Sequence, residues 1–234
     1  MKTIIFKAAD RGSADHGWLK AKHSFSFASY YDPTKVHFGL LRVLNDDIVA
    51  PGMGFGTHPH DNMEIVTIPL RGSLEHKDSM GSAKVIKEHE VQIMSAGTGV
   101  THSEYNPSKT EEVNLLQLWV FPKVKDIEPR YDQRLFSKPK NQFKVVVSPD
   151  KSEDALWINQ DAYFSLASLD KDISIDYKIK YKGNGAYVFL IEGSIEINGE
   201  KLEKRDAIGI SDTEKFSFKT LSPVELLVID VPMH

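Results

Sequence analysis

A short passage that occurs twice constrains this chain more than any other feature. Leu70-Arg71-Gly72-Ser73-Leu74-Glu75 returns as Ile191-Glu192-Gly193-Ser194-Ile195-Glu196. Further on, Glu90-Val91-Gln92-Ile93 returns as Asp206-Ala207-Ile208-Gly209, after a shorter hairpin. A strand, a glycine turn and a second strand, repeated at long spacing, describe two copies of one β unit. The same brief rhythm runs through Met63–Leu70, Ser73–Lys77, Val91–Met94, Val113–Phe121 and Phe143–Val147. Phe38–Leu44 reads as a strand buried on both faces, ended by Asn45-Asp46-Asp47 as a turn, and Phe25 and Phe27 alternate with serines as in a half-buried strand. No long amphipathic helix interrupts the pattern. The expectation is an all-β chain of two jelly-roll-type barrels in tandem. Residues 1–122 form the first and residues 143–234 the second. The proline-rich, charged residues 123–142 form a linker, and residues 150–162 a short helix or extended excursion.

The chemistry-bearing residues crowd into the first copy, where eight of the nine histidines lie within residues 1–102. Side chains two apart on an extended chain share a face. His58 and His60 therefore project together, as do His102 and Glu104. Two such pairs on neighbouring strands bring three imidazoles and a carboxylate to one point, a donor set for a divalent first-row metal. With no cysteine in the chain, nothing biases the choice of ion towards a thiolate site. Glu64 is a second candidate acid. On a straight strand it would stand roughly 13 Å along from His60, so only a bend at Asp61-Asn62 could return it. Met53, Phe55 and Met94 are candidate pocket residues, and the glycines between Pro51 and Gly56 allow backbone to pass close by. His76 reads as a turn histidine, and His16, His23, His37 and His89 lie among polar or turn residues as non-ligands. Carrying the repeat outward sets Ile179 and Tyr181 against His58 and His60, and Phe218 and Thr220 against His102 and Glu104. The second barrel is thus expected to hold no metal.

These spacings resemble a known family. Gly52, His58-Pro59-His60 and Glu64 are similar to the first cupin motif, although its closing glycine falls one residue late at Gly72. Gly99, His102 and Asn106 resemble the second, with Gly97 where that pattern has proline. Thr57-His58-Pro59-His60, the run from Gly97 to Asn106, His23-Ser24-Phe25-Ser26-Phe27-Ala28, Tyr31-Asp32-Pro33 and His76-Lys77-Asp78-Ser79-Met80-Gly81 together resemble the pirin family, especially its bacterial quercetinase-like members. The resemblance implies a bicupin with Glu104 as the fourth ligand. It also implies one divalent transition metal, iron first and nickel, manganese, cobalt, copper or zinc as alternatives. The implied activity is a quercetin 2,3-dioxygenase, in which Glu104 deprotonates metal-bound flavonol, dioxygen opens the ring and carbon monoxide leaves. Some pirins instead act as metal-containing protein partners of regulators, which is the competing reading. Pirin resemblance further suggests a monomer.

Composition narrows the rest. A net charge of −4 and a pI near 6.1 argue against direct nucleic-acid binding, which favours a basic face. No apolar run reaches the length of a membrane span, and the apolar part of Met1–Asp10 is short for a secretory signal and reads as a first strand. The absence of cysteine excludes disulfides and thiol redox chemistry. A cytoplasmic protein is expected.

Overall fold

The computed structural model describes residues 1–151 and 154–234. Apart from one 3-10 turn at Ala8–Asp10, the regular elements among the described residues are strands. In the first barrel a seven-stranded sheet runs Arg130–Leu135, Glu90–Ser95, Glu64–Arg71, Val113–Val120, Leu41–Val49, Leu19–His23, Gly12–Asp15. A four-stranded sheet covers it, in the order Gly54–His60, Val100–Tyr105, Ser73–Asp78, Ala83–Lys87. The second barrel repeats this plan. Its large sheet runs Lys2–Phe6, Ala207–Ser211, Asn184–Glu192, Val224–Pro232, Tyr163–Leu169, Phe143–Ser148, Leu156–Trp157. Its small sheet runs Ser174–Lys178, Lys215–Thr220, Ile195–Ile197, Glu200–Leu202. The two expected barrels are present.

The central strands read as unbroken apolar runs because both of their faces are buried. In Asn184–Glu192, Ala186, Val188 and Leu190 fill the second barrel. Tyr187, Phe189 and Ile191 on the alternate face pack against the first barrel. Val66, Ile68, Leu116 and Leu118 of Glu64–Arg71 and Val113–Val120 meet them there, with Leu227, Ile229 and Val231. Phe6, Phe25 and Phe38 crowd around Tyr187 at 5.1–5.6 Å between ring centroids. The largest apolar cluster therefore lies between the barrels.

The two interiors differ in kind. The second is lined by aliphatic and aromatic groups such as Leu169, Tyr177, Ile179, Phe216, Phe218 and Leu226. In the first, an apolar floor of Leu74, Ile86, Val113 and Leu115 gives way to buried Asp47, Thr67, His76, Gln92, His102, Glu104 and Gln117. Polar groups on one sheet face meet polar groups on the sheet opposite.

Several expectations change. Asn45-Asp46-Asp47 is not a turn but the middle of Leu41–Val49, with all three residues buried. Local propensity yields to distant partners. Asn45 Oδ1 lies 2.9 Å from His23 Nδ1, and Asp46 Oδ2 meets the guanidinium groups of both Arg11 and Arg205. Phe25 and Phe27 lie beyond the strand Leu19–His23 rather than in one of their own. The expected linker supplies Arg130–Leu135, whose charged, half-exposed side chains suit a sheet edge. In 150–162 the described residues form the strand Leu156–Trp157, and positions 152 and 153 lie outside the described residues. The hydrogen bonding runs across the expected bounds, since Lys2–Phe6 pairs with Ala207–Ser211 of the second barrel and Arg130–Leu135 with Glu90–Ser95 of the first.

The outward register of the repeat also slips. Glu104 pairs with His76, whereas Thr220 pairs with Ile195, the counterpart of Leu74. Phe218 therefore corresponds to Glu104 and Phe216 to His102. Tyr177 faces Phe216 as His58 faces His102. The connecting turns differ by two residues between the copies. A slip of two keeps every side chain on its own face, so the burial pattern alone gives no sign of it.

Candidate metal centre

The strand Gly54–His60 runs antiparallel to Val100–Tyr105, with His58 opposite His102 and Phe55 opposite Glu104 across a bulge. Gly54 permits the approach, since a Cβ there would collide with the Glu104 carbonyl. Asn62, at φ +44°, turns the chain after His60 and anchors it by donating its N–H to Gly97 O at 2.9 Å. These local devices put His58, His60 and His102 in a triangle, with ring centroids 4.4–4.9 Å apart. Their ligand atoms lie within 4.8 Å of one another.

Glu104 stands one step deeper. Its ligand atom lies within 4.8 Å of His102 and of His76, which form a second group with it. Gln117 Nε2 donates to Glu104 Oε2 at 2.8 Å, and the Thr67 hydroxyl donates to Gln117 Oε1 at 2.8 Å. That chain fixes which end of the amide faces the carboxyl group. Among the described residues, both groups able to hold a metal belong to the first barrel.

Burial sets the protonation states. It pushes the Glu104 carboxyl up to about 7, against the opposing pull of the Gln117 hydrogen bond. Burial and then the neighbouring His58 lower His60 to about 4. Burial, followed by the surrounding histidines, lowers His102 to about 2. Asp47 is raised to about 8 by burial and then by Asp46 and Glu104. Neutral imidazoles are the metal-binding form.

The residues fit a metal ion on structural grounds. His58 Nδ1 lies 2.8 Å from Gly56 O, so it donates there and leaves Nε2 as a lone pair. His102 Nε2 is buried and has no hydrogen-bond partner. Such an orphaned acceptor beside two further imidazoles is what a bound cation would satisfy.

Other predicted residues fall elsewhere. Glu64 is buried, but its Oε2 accepts from Ser95 Oγ at 2.8 Å and from Asn159 N at 3.2 Å, near the second barrel. Met94 is fully buried with Ile65, Ala96 and Val100 in a cluster against which Trp119 packs, and Trp119 stands edge-on to His60 at 4.9 Å. Phe55 packs on Trp18 at 5.3 Å, and Met53 is exposed. An open depression of about 440 Å³ reaches His60, lined also by Asp61, Ser79, Thr98 and Thr101. Spacing arguments left His76 as an exposed or hydrogen-bonded turn histidine; it is fully buried, with Nε2 2.9 Å from Asp78 Oδ2 of the turn. Its period-two relation to Leu74 was the available signal, since both face the barrel interior.

Comparisons with known proteins place the chain in a family. The Pirin family matches residues 6–120, and the quercetinase C-terminal cupin domain matches residues 145–231. Quercetin 2,3-dioxygenase of Escherichia coli strain K12 is 44% identical over 226 residues, covering 97% of each chain. The crystal structure of YhhW from Escherichia coli superposes with a TM-score of 0.95 at 43% identity, covering 99% of this chain and 98% of that one. The bacterial pirin YhhW in complex with nickel(II) gives a TM-score of 0.94 at 42% identity, covering 99% of both. No helix of the described residues is long and apolar enough to cross a membrane. With relatives this similar along nearly its whole length, the chain belongs to the pirin family of two-barrel cupins.

Proposed function

We propose that this chain is a metal-dependent dioxygenase that opens the heterocycle of quercetin or a similar flavonol. The observation that carries the reading is the triangle of His58, His60 and His102, with the buried His102 Nε2 left unpartnered. A divalent transition metal, iron first and nickel, manganese, cobalt, copper or zinc as alternatives, would supply Lewis acidity towards the flavonol 3-oxygen there. His58, His60 and His102 would hold it, with Glu104 as the deeper fourth ligand.

The protein's own part is proton handling and exclusion of water. Burial alone raises the Glu104 carboxyl to about 7, a bound cation would pull it back down, and the resulting carboxylate would be the base that accepts the 3-hydroxyl proton. The 3-hydroxyl O–H bond breaks and a carboxyl O–H bond forms at Glu104, while Gln117 steadies Oε2. Both atoms of dioxygen then enter the product as C2–C3 and C3–C4 break, and C3 leaves as carbon monoxide. The depression beside His60 admits the flavonol from solvent, and Trp119 packs edge-on against the His60 ring. A net charge of −4 and the absence of cysteine support a cytoplasmic place with no direct nucleic-acid partner.

The test incubates metal-reconstituted protein with quercetin under oxygen and follows carbon monoxide and oxygen uptake. The wild type should release carbon monoxide in a chelator-sensitive manner, and His60→Ala should fall to background. Equal rates in the two proteins would remove the enzyme reading.

A further inference from the structure

His76 belongs to a chain of contacts that ends at the metal centre. Its ring lies between Tyr131, 4.6 Å away at 31°, and His102, 5.2 Å away. His76 Nε2 stands 2.9 Å from Asp78 Oδ2, and both side chains are fully buried. His76 Nδ1 stands 3.4 Å from His102 Nδ1.

Counting protons along the chain fixes every position. Asp78 Oδ1 already accepts the N–H groups of Met80 and Ser82, each at 2.9 Å, so only Oδ2 is turned to His76. A carboxylate accepts and does not donate, which puts a proton on His76 Nε2. The neutral ring then offers a lone pair at Nδ1. Two lone pairs do not face each other at hydrogen-bonding distance, so His102 carries its proton on Nδ1. That leaves His102 Nε2 bare, and this is the buried nitrogen with no partner.

We propose that Asp78 and His76 are positioning residues that hold His102 in its Nδ1–H tautomer and aim the Nε2 lone pair at a divalent cation. The inference rests on reading His58, His60 and His102 as ligands. The turn Asp78-Ser79-Met80-Gly81 thus does two things: it closes a hairpin and it orients a carboxylate. Tyr131, from the strand Arg130–Leu135, packs on the His76 ring and restricts its rotation.

The test uses full-length, metal-free protein with 15N-labelled histidine and long-range 1H–15N correlation. Wild type should show His102 protonated at Nδ1. In Asp78→Asn, the amide oxygen stays pinned by Met80 and Ser82, so the amide N–H₂ faces His76 and donates to Nε2. The protons shift along the chain, and His102 should become the Nε2–H tautomer. Nickel(II) affinity, measured against a chromophoric chelator, should fall roughly 10–100-fold. His76→Phe should fall similarly, whereas His76→Asn, which can place an amide oxygen where Nδ1 stood, should recover most of the affinity. An Nε2–H His102 in wild type overturns the proposal, as does an Asp78→Asn affinity within twofold of wild type. The wild-type spectrum decides the matter even where a variant fails to fold. His102→Ala separates the two readings. If it binds nickel as tightly as wild type, the ligand assignment fails. If it loses nickel while Asp78→Asn keeps it, only the positioning role fails.

Discussion

Replacing Glu64 with glutamine isolates what a buried carboxyl group does to the stability of this fold. Glu64 is 1% exposed, and burial pushes its carboxyl up to about 7 from the usual 4.5, against opposing hydrogen bonds from Asn159 and Ser95. The folded state holds this proton more tightly than the unfolded chain does. Below about pH 4.5 both states are protonated and the group is neutral in its effect. As pH rises from there to about 7, the unfolded chain ionises first and stability falls. Above about 7 the whole penalty is present. At 1.36 kcal/mol per unit, the span of 2.5 units amounts to about 3 kcal/mol. Glutamine keeps an oxygen for Ser95 Oγ and Asn159 N but never ionises, and its spare N–H₂ forfeits about 1 kcal/mol. Glu64→Gln should therefore be more stable than wild type by about 2 kcal/mol at pH 8. That corresponds to a rise of roughly 4–8 °C in melting midpoint for a chain of this size. At pH 4.5 the advantage should vanish or reverse slightly. Calorimetric midpoints of both proteins at pH 4.5, 6 and 8 provide the assay. A variant less stable than wild type at pH 8 would refute the reasoning, because it would mean that Arg130 keeps the carboxylate ionised and favourable.

Two further expectations concern charge in the first barrel. Asp46 Oδ2 meets both Arg11 Nη2 at 3.4 Å and Arg205 Nε at 3.5 Å, while Arg11 Nε and Nη1 are buried without hydrogen-bond partners. Arg11→Met should be neutral or stabilising by about 1 kcal/mol, whereas Asp46→Asn, which strands two guanidinium groups, should cost about 3–5 kcal/mol in urea unfolding. Glu104→Gln removes the carboxylate and leaves the three imidazoles. Steady-state assays on quercetin should show turnover lower by roughly 10²–10⁴-fold, with a smaller loss of nickel affinity than in His60→Ala.

Much of the architecture was legible because it is written locally. Short apolar runs, glycine turns and one repeated hairpin suffice for two barrels, and period-two spacing suffices to pair His58 with His60 and His102 with Glu104. What escaped depends on partners far along the chain. Asn45-Asp46-Asp47 has turn chemistry in isolation and becomes strand only because His23, Arg11 and Arg205 await it. The His76 ring is covered by Tyr131, which lies in a stretch whose prolines and charges conceal a sheet edge. The register slip between the copies escaped for a different reason, since an even shift leaves the inward and outward pattern of each strand unchanged.

The strand Lys2–Phe6 edges the large sheet of the second barrel, hydrogen-bonded along its length to Ala207–Ser211. Lys2–Phe6 therefore takes its partner from near the other end of the chain, with Phe6 opposite Ala207. Severing the chain between the barrels would free a sticky ribbon on one fragment and bare a sheet margin on the other, with Phe6 parted from Tyr187. The halves are laced together rather than merely joined, so neither is a portable module.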